Sequence, residues 1–348
     1  MDEEEKIEIE NIGWGECVNS FVDVCKRWKE EEIGRLMKGW NIKGINEVDK
    51  EGKTCMMYLC ERGLEIYAIK ILERGDFRMI DNIDELGDDI MIKACKNGME
   101  ELVLMMLERV NRININRVNK SNKTGLMYAI EKRMYKVADE LIKRMRNINQ
   151  VDEQGNTALM IGLNNVNSEM VNIIRKMFKR GDIEVNNINK RNNTALIIGC
   201  KRKQEEEIIK EIIMKSNIRT INYVNDEGKI ALIYAIENKM EKVGIEILKY
   251  TDDIINMTDK YWNTILMKAC YNEMSELSIE ILRREDFNKI NIKCKIFNNT
   301  ALIIACSKRL EKVGIEILKY TDDIINMTDK YCRSERIPQL SRLRTRLS

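Results

Sequence analysis

Hydrophobic positions recur along this chain in blocks that repeat about every 35 residues. Each block opens with Thr or a substitute for it, continues through a short apolar run such as residues 301–306, and closes in a polar segment. The block starts, 33 to 37 residues apart, are Thr54, Asp89, Thr124, Thr157, Thr194, Ile230, Thr264 and Thr300. A fixed period of this length indicates stacked supersecondary units, so we expect a solenoid.

The apolar residues of each block are spaced for two short helices. The Thr at the start is a helix N-cap, whose hydroxyl accepts a hydrogen bond from a free backbone N–H. The first helix carries Leu or Met two residues later and usually a small residue five residues later, as Leu196 and Gly199 illustrate. The second helix carries late apolar pairs such as Ile247–Leu248. We therefore predict an all-α solenoid of about nine helix-turn-helix repeats.

A polar connection leads from each second helix to the next N-cap. It reads Ile-Asn, then Asp or Asn three residues later, then Gly or Asn before the cap, as in Asn149, Asp152 and Gly155. Asp and Asn side chains bond nearby backbone groups in turns, and Gly adopts positive φ without strain. These connections are predicted to form projecting hairpin loops.

The extent of the pattern divides the chain into three regions. Residues 1–18 are an acidic N-terminal lead-in, residues 19–331 are the repeat array with a degenerate first repeat, and residues 332–348 are an Arg-rich tail that we expect to be disordered. Residues 241–261 recur letter for letter as residues 311–331. Such duplication is expected of units that contact only their neighbours.

Composition narrows the possible functions. Lys and Arg number 59 against 57 Asp and Glu, so the formal net charge of +2 draws the chain neither to nucleic acid nor to anionic lipid. The acidic start does not resemble a secretory leader, and no run approaches the ~18 apolar residues of a membrane span. We expect a cytoplasmic protein with no membrane span.

Cysteine and histidine usage argues against metal and nucleophile chemistry. Most of the ten cysteines share one repeat position with Ile and Leu, which indicates reduced, buried side chains: Cys25, Cys60, Cys95, Cys200, Cys270 and Cys306. The chain has no His, so it cannot form a Ser-His or Cys-His nucleophile or a His-based zinc site. We predict no catalytic residue, no metal site and no cofactor.

The blocks resemble ankyrin repeats. The stretch from Asn149 through Asp152, Gly155, Thr157 and Leu159 carries the asparagine, the Asp-x-x-Gly turn, the Thr cap and the following Leu of that family. The family's Thr-Pro-Leu-His corner is replaced by Thr-Ala-Leu-Ile or close variants. The resemblance covers about residues 19–331. It implies a curved array whose hairpins and first helices line a concave side that binds another protein without catalysis.

Departures from the repeat pattern mark candidate partner-binding residues. Tyr261 and Trp262 place aromatic side chains at a hairpin tip, where Trp262 replaces the turn Gly or Asn of the other repeats, and Tyr271 ends the following helix. Exposed aromatic residues on a rigid tip are typical interface anchors. The alternative is a tip folded against the next hairpin.

A set of cations at hairpin tips and helix ends forms a second candidate surface. We call it the basic strip: Lys190, Arg191, Lys201, Arg202, Lys120, Lys123 and Lys132. Acidic partners or phosphate groups would suit these side chains. Ordinary solubilising charge is the alternative explanation.

These features predict a monomeric, non-enzymatic scaffold that binds an unidentified protein on its hairpin and first-helix surface. The alternative function is recognition of nucleic acid or anionic lipid through the basic strip and the Arg-rich tail. A third hypothesis, an enzyme with carboxylates in the groove, would require a deep pocket with two convergent acids.

Overall fold

The computed structural model describes residues 21–38, 44–110 and 113–320, and the regular structure of these residues is helical. The helices are α1 Phe21–Arg27, α2 Glu30–Lys38, α3 Cys55–Glu61, α4 Glu65–Glu73, α5 Ile90–Asn97, α6 Glu100–Arg109, α7 Gly125–Glu131, α8 Tyr135–Arg144, α9 Ala158–Leu163, α10 Ser168–Lys179, α11 Ala195–Lys201, α12 Glu206–Lys215, α13 Ile218–Ile221, α14 Ala231–Glu237, α15 Glu241–Leu248, α16 Ile265–Tyr271, α17 Ser275–Leu282, α18 Ala301–Ser307 and α19 Glu311–Leu318. The predicted lead-in and tail lie outside the described residues.

A side-chain cap starts nearly every first helix of a block. The Thr264 hydroxyl accepts a hydrogen bond from the Met267 N–H at 3.1 Å, and the other Thr starts do the same. Asp89 takes this role in its repeat, its carboxylate accepting from the Ile92 N–H at 2.8 Å. Ile230 begins α14 without a side-chain cap. The predicted N-caps are thus confirmed, and Asp89 caps its helix as Thr does in the other repeats.

The helices stack in sequence order within each of two compact units. Of the described residues, the first unit holds 21–38, 44–110, 113–162 and 167–183, and the second holds 163–166 and 184–320. In the first unit α1, α3, α5 and α7 form one row, and α4, α6, α8 and α10 form another. In the second unit the rows are α11, α14, α16 and α18, and α12, α15, α17 and α19. This stacking confirms the predicted solenoid, whereas the count of about nine repeats remains a prediction.

Small and apolar side chains fill the space within each unit. A Cβ atom on Gly244 would lie 2.9 Å from a methyl group of Leu277, so α15 and α17 pack too closely for a side chain there. The described cysteines are free and buried, as predicted: Cys25, Cys55, Cys60, Cys95, Cys200, Cys270, Cys294 and Cys306. Burial raises the pKa of the Cys270 thiol to about 12, so this thiol is an unreactive core group.

One Asp or Asn side chain builds each hairpin from the block starting at Thr54 to the block starting at Thr264. In the hairpin before Thr264, Asp259 Oδ1 accepts the N–H groups of Tyr261 at 3.0 Å and Asn263 at 2.9 Å. Equivalent pairs of bonds form in the earlier hairpins, at Asp49, Asp84, Asn119, Asp152, Asn189 and Asn225. The predicted turn chemistry is therefore confirmed.

Backbone hydrogen bonds link successive hairpins inside each unit. In the first unit the Lys120 N–H donates to the Leu86 carbonyl at 2.9 Å. In the second unit the Lys295 N–H donates to the Tyr261 carbonyl, also at 2.9 Å. These bonds connect neighbouring loops although the sequence lacks the His that links them in the ankyrin family. The hairpin tips are therefore held in fixed positions relative to their neighbours.

A polar residue four positions after the cap ties several first helices to their own hairpins. The Tyr58 hydroxyl donates to Asp49 at 2.5 Å, and Asn119 donates to the Tyr128 hydroxyl at 3.1 Å. Lysine serves instead in the repeats that start at Asp89 and Thr264. Each such contact braces the turn against the helix that follows it.

Candidate functional site

The tip of the hairpin before Thr264 holds a tryptophan in an unusual backbone conformation. The residue two positions before the N-cap has positive φ in every described hairpin of this type: Gly52, Gly87, Asn122, Gly155, Asn192, Gly228, Trp262 and Asn298. Trp262 has φ 64° and is 52% exposed. The left-handed conformation costs a residue with a Cβ atom about 1–2 kcal/mol, and Gly and Asn tolerate it best. An exposed Trp at this position therefore suggests a role other than folding.

The three aromatic residues predicted as anchors lie on the hairpin and first-helix side of the second unit. Tyr261 is 41% exposed and Tyr271 is 66% exposed, so neither ring is folded into the core. A lysine ammonium lies over each ring: Lys260 over Tyr261 at 4.9 Å, Lys295 over Trp262 at 4.5 Å and Lys308 over Tyr271 at 4.9 Å. Trp262 thus contacts the next hairpin through Lys295 while half of its surface stays accessible.

Two neighbouring depressions open beside these rings. The Tyr271 pocket has a volume of about 680 Å³ and is lined by Met267, Tyr271, Phe297 and Ile304 among others. The Tyr261 pocket has a volume of about 600 Å³ and lies on the other side of the same hairpin. Both pockets are lined by Glu237, Asn263 and Lys268. The two depressions therefore adjoin along the first helices α14, α16 and α18.

The carboxylates on the walls of these pockets have cationic partners. Lys268 Nζ lies 2.8 Å from Asp259 Oδ2. Burial raises the pKa of Asp259, but the hydrogen bonds from Lys268 and Asn263 outweigh it and lower the pKa to about 2. A hydrogen bond from Lys308 likewise lowers the pKa of Glu273. These carboxylates are ionised at neutral pH and already have cationic partners.

Part of this surface does not follow from the repeat pattern of the sequence. Ile296 is 45% exposed and Phe297 is 48% exposed, and both lie in the hairpin before Thr300. That loop is one residue longer than the others, since the Cys294 N–H bonds the Asn299 carbonyl. The sequence signal for this part of the surface is the pair of adjacent apolar residues, Ile296 and Phe297, in a turn. Cys294 stands where other hairpins have Asp or Asn, so the sequence does not mark this loop as equivalent to the others.

The basic strip is divided between the two units. Lys120, Lys123 and Lys132 belong to the first unit, and Lys190, Arg191, Lys201 and Arg202 belong to the second. Lys123 pairs with Glu131 at 2.6 Å, Lys201 pairs with Glu227, and Arg202 Nε donates to Asn164 at 3.1 Å. The other four cations are exposed. A binding role for the strip stays a prediction.

Comparison with known proteins identifies the repeats. Residues 91–187 match the family model of ankyrin repeats in three copies. This stretch of the chain consists of ankyrin repeats. The capped helix pairs and linked hairpins extend the same architecture through the described residues on either side of this match. Ankyrin repeats are generally protein–protein interaction modules, and no enzyme family is indicated.

Two solved structures resemble this chain at low identity. One is the complex of the Bd0816 predatory endopeptidase from Bdellovibrio bacteriovorus with immunity protein Bd3460, at 21% identity and a TM-score of 0.43, covering 59% of this chain and 100% of that chain. The other is the ankyrin repeat domain of Bcl-3, a member of the IkappaB family, at 19% identity and a TM-score of 0.47, covering 68% of this chain and 100% of that chain. No curated protein sequence matches the chain significantly.

Among residues 21–38, 44–110 and 113–320, no helix combines the length and the hydrophobicity of a membrane span. The same ranges contain no cluster of three or more Cys, Asp or Glu arranged to hold a metal ion. Cytoplasmic location and a monomeric state stay predictions.

Proposed function

We propose that this ankyrin-repeat chain is a non-enzymatic scaffold that binds a protein partner on the hairpin and first-helix surface of its second unit. The anchors are Tyr261, Trp262 and Tyr271, joined by Phe297. The observation that carries the proposal is Trp262, which is 52% exposed and has φ 64° at a position that Gly or Asn fills in the other hairpins. Strain retained at an exposed aromatic residue is typical of binding sites.

The rigidity of the hairpins supports the same function. The turn that carries Tyr261 and Trp262 is closed by two bonds to Asp259, and the Lys295 N–H ties it to the following loop. Because these tips are ordered before a partner arrives, binding loses little conformational entropy. The adjoining pockets provide space into which partner side chains can insert.

Affinity capture from cells of the source organism tests the proposal. We expect that a partner retained by the intact chain is lost when Tyr261→Ala and Trp262→Ala are combined. The matched control is Tyr250→Ala, because Tyr250 is also 41% exposed in the second unit but lines neither pocket. This control should retain the partner.

A separate variant examines the basic strip in the same assay. Lys201→Glu combined with Arg202→Glu reverses two charges on the second unit, one of which pairs with Glu227. Loss of the partner with this variant would extend the binding surface toward the preceding hairpin. If the aromatic double variant retained every partner of the intact chain, the proposed binding surface would be wrong.

A further inference from the structure

The hairpin tips carry a regular pattern of charge that changes in the second unit. The residue directly after the turn-forming Asp, Asn or Cys is charged in every hairpin from the block at Thr54 onward. In the first unit the signs alternate along Lys50, Glu85, Lys120 and Glu153. In the second unit the series is Lys190, Asp226, Lys260 and Lys295, so it ends with two cations. The tips before Thr264 and Thr300 are the pair joined by the Lys295–Tyr261 backbone bond.

Of the described cations at the aromatic surface, Lys260 and Lys295 lack an ion-pair partner. The pocket-wall carboxylates pair with other lysines: Glu227 with Lys201, Glu237 with Lys229 at 2.8 Å, and Asp259 with Lys268 at 2.8 Å. Glu273, next to the pocket residue Asn272, pairs with Lys308 at 3.0 Å. Within the described part of the chain, Lys260 and Lys295 have no carboxylate within ion-pair distance; both are exposed. Their ammonium groups lie over Tyr261 and Trp262. The surface therefore carries excess positive charge beside its aromatic rings.

The Tyr271 pocket gives this charged surface an apolar centre. Met267, Phe297 and Ile304 contribute apolar walls, and the exposed ring of Tyr271 forms part of the rim. A volume of about 680 Å³ accommodates a large apolar side chain together with the backbone next to it. A phosphate backbone would gain nothing from such walls, so the combination favours a polypeptide.

We infer that the partner segment bound here is acidic and carries one large apolar residue. The apolar side chain enters the Tyr271 pocket, and flanking carboxylates pair with Lys260 and Lys295. Carboxylates form charge-assisted hydrogen bonds with lysine, and each lysine holds its carboxylate next to an aromatic ring that covers the adjoining segment. This inference rests on the proposed function, since it specifies the chemistry of the partner at the same surface.

Selection of peptides on the intact chain tests the inference. The probe is a phage-displayed library of random peptides, and the selected sequences are synthesised and titrated against the chain by fluorescence polarisation. We expect the selected peptides to carry Asp or Glu on both sides of a Leu, Phe or Trp. Their affinity should fall at least tenfold with Lys260→Glu combined with Lys295→Glu, and less with Lys260→Gln combined with Lys295→Gln.

The matched control reverses two lysine charges in the first unit that belong to neither candidate surface. Lys50→Glu combined with Lys136→Glu changes exposed lysines, so it makes the same change in net charge. It should leave the affinity within about twofold, whereas a general charge effect would weaken binding as strongly as the test variant. Circular dichroism of all the variants checks that they fold.

Two results would overturn the inference, and they differ in what they say of the proposed function. Selected peptides that lack acidic residues, but lose affinity with Tyr271→Ala combined with Phe297→Ala, would leave the binding surface standing and reject the acidic partner. Selected peptides whose affinity is unchanged by the aromatic variants and by the lysine variants would reject both.

Discussion

The repeats that start at Asp89 and at Thr264 carry a lysine at the same position and use it differently. Lys93, in the first unit, is 2% exposed and lies 2.7 Å from Asp84 and 2.6 Å from Glu61. Burial lowers its pKa, but the hydrogen bonds with Asp84 and Glu61 more than offset this and raise it. Lys268, in the second unit, pairs with Asp259 and lines both pockets. One lysine is part of a buried charge network, and the other faces an open surface.

The hairpin tips of the same two repeats differ in a parallel way. Asp84 and Asp259 build identical turns, each accepting the N–H groups two and four residues later. The first turn places Gly87 at the position of positive φ, and the second places Trp262 there. The backbone frame is therefore constant, and the side chains on it decide whether a repeat contributes stability or an exposed surface.

The largest expected effect is the loss of the buried lysine. Lys93→Ala leaves Asp84, whose side chain is 0% exposed, without a cationic partner, and leaves the equally buried Asp88 with Lys96 alone. Removing one member of a buried charge network typically costs about 3–5 kcal/mol. Urea denaturation of the full chain measures the change in the free energy of unfolding. A loss below about 1 kcal/mol would show that the network contributes no more than a surface ion pair.

The N-caps of the two repeats provide the next test. Burial raises the pKa of Asp89 from 3.8 to about 6, although the Ile92 N–H and Arg117 both favour the ionised form. Between about pH 4 and 6 the folded state thus holds a proton that the unfolded state has released, so stability falls as pH rises through this window. Asp89→Thr, which copies Thr264, should raise the free energy of unfolding at pH 7 by about 2 kcal/mol.

The pH dependence distinguishes this explanation from a general preference for threonine. Below about pH 4 the Asp89 carboxyl is protonated in both states, so the advantage of Asp89→Thr should nearly vanish. Urea denaturation at pH 7 and near pH 4 measures both values. An advantage of the same size at both pH values would contradict a buried carboxylate as its cause.

The repeat frame could be predicted from the sequence because its chemistry is local. Thr157 caps the helix that follows it, and Asp152 closes the turn that contains it, so each bond joins residues within four positions. The network around Lys93 could not be predicted in this way. Glu61 comes from the preceding repeat, 32 residues earlier, so the spacing within one repeat does not reveal it as a partner of Lys93.

A residue of the candidate site could be predicted only where it departs from the repeat sequence of an otherwise regular hairpin. Trp262 stood out because Gly or Asn fills its position elsewhere. Phe297 did not, because the hairpin before Thr300 is one residue longer and begins at Cys294. The pairing of the pocket carboxylates with lysines depends on contacts between helices and hairpins. The spacing of residues along the sequence does not reveal these contacts.

Lys268, the partly exposed lysine of the second unit, should contribute much less to the free energy of unfolding than Lys93. The Lys268 and Asp259 side chains are 19% and 27% exposed, and a partly solvated pair of this kind contributes about 1 kcal/mol at most. The lowered pKa of Asp259 makes this contribution present above its usual value near 4 and lost as pH falls toward 2. We expect Lys268→Ala to lose about 1 kcal/mol at pH 7 in urea denaturation. A loss as large as that of Lys93→Ala would remove the distinction between the two repeats.

The smallest expected change in stability belongs to the residue with the largest proposed role in binding. Trp262→Asn relieves about 1 kcal/mol of left-handed backbone strain but removes the contact of Lys295 with the ring, worth about 0.5–1 kcal/mol. The two terms nearly cancel, so urea denaturation should show a change below about 0.5 kcal/mol, while a peptide selected on the intact chain should bind at least tenfold more weakly. The reciprocal control, Asn122→Trp in the first unit, should destabilise the chain without creating a second binding site for that peptide, since Trp262 acts together with Tyr271 and Phe297 beside its pocket. Undiminished affinity of Trp262→Asn would show that the strained conformation serves something other than this partner.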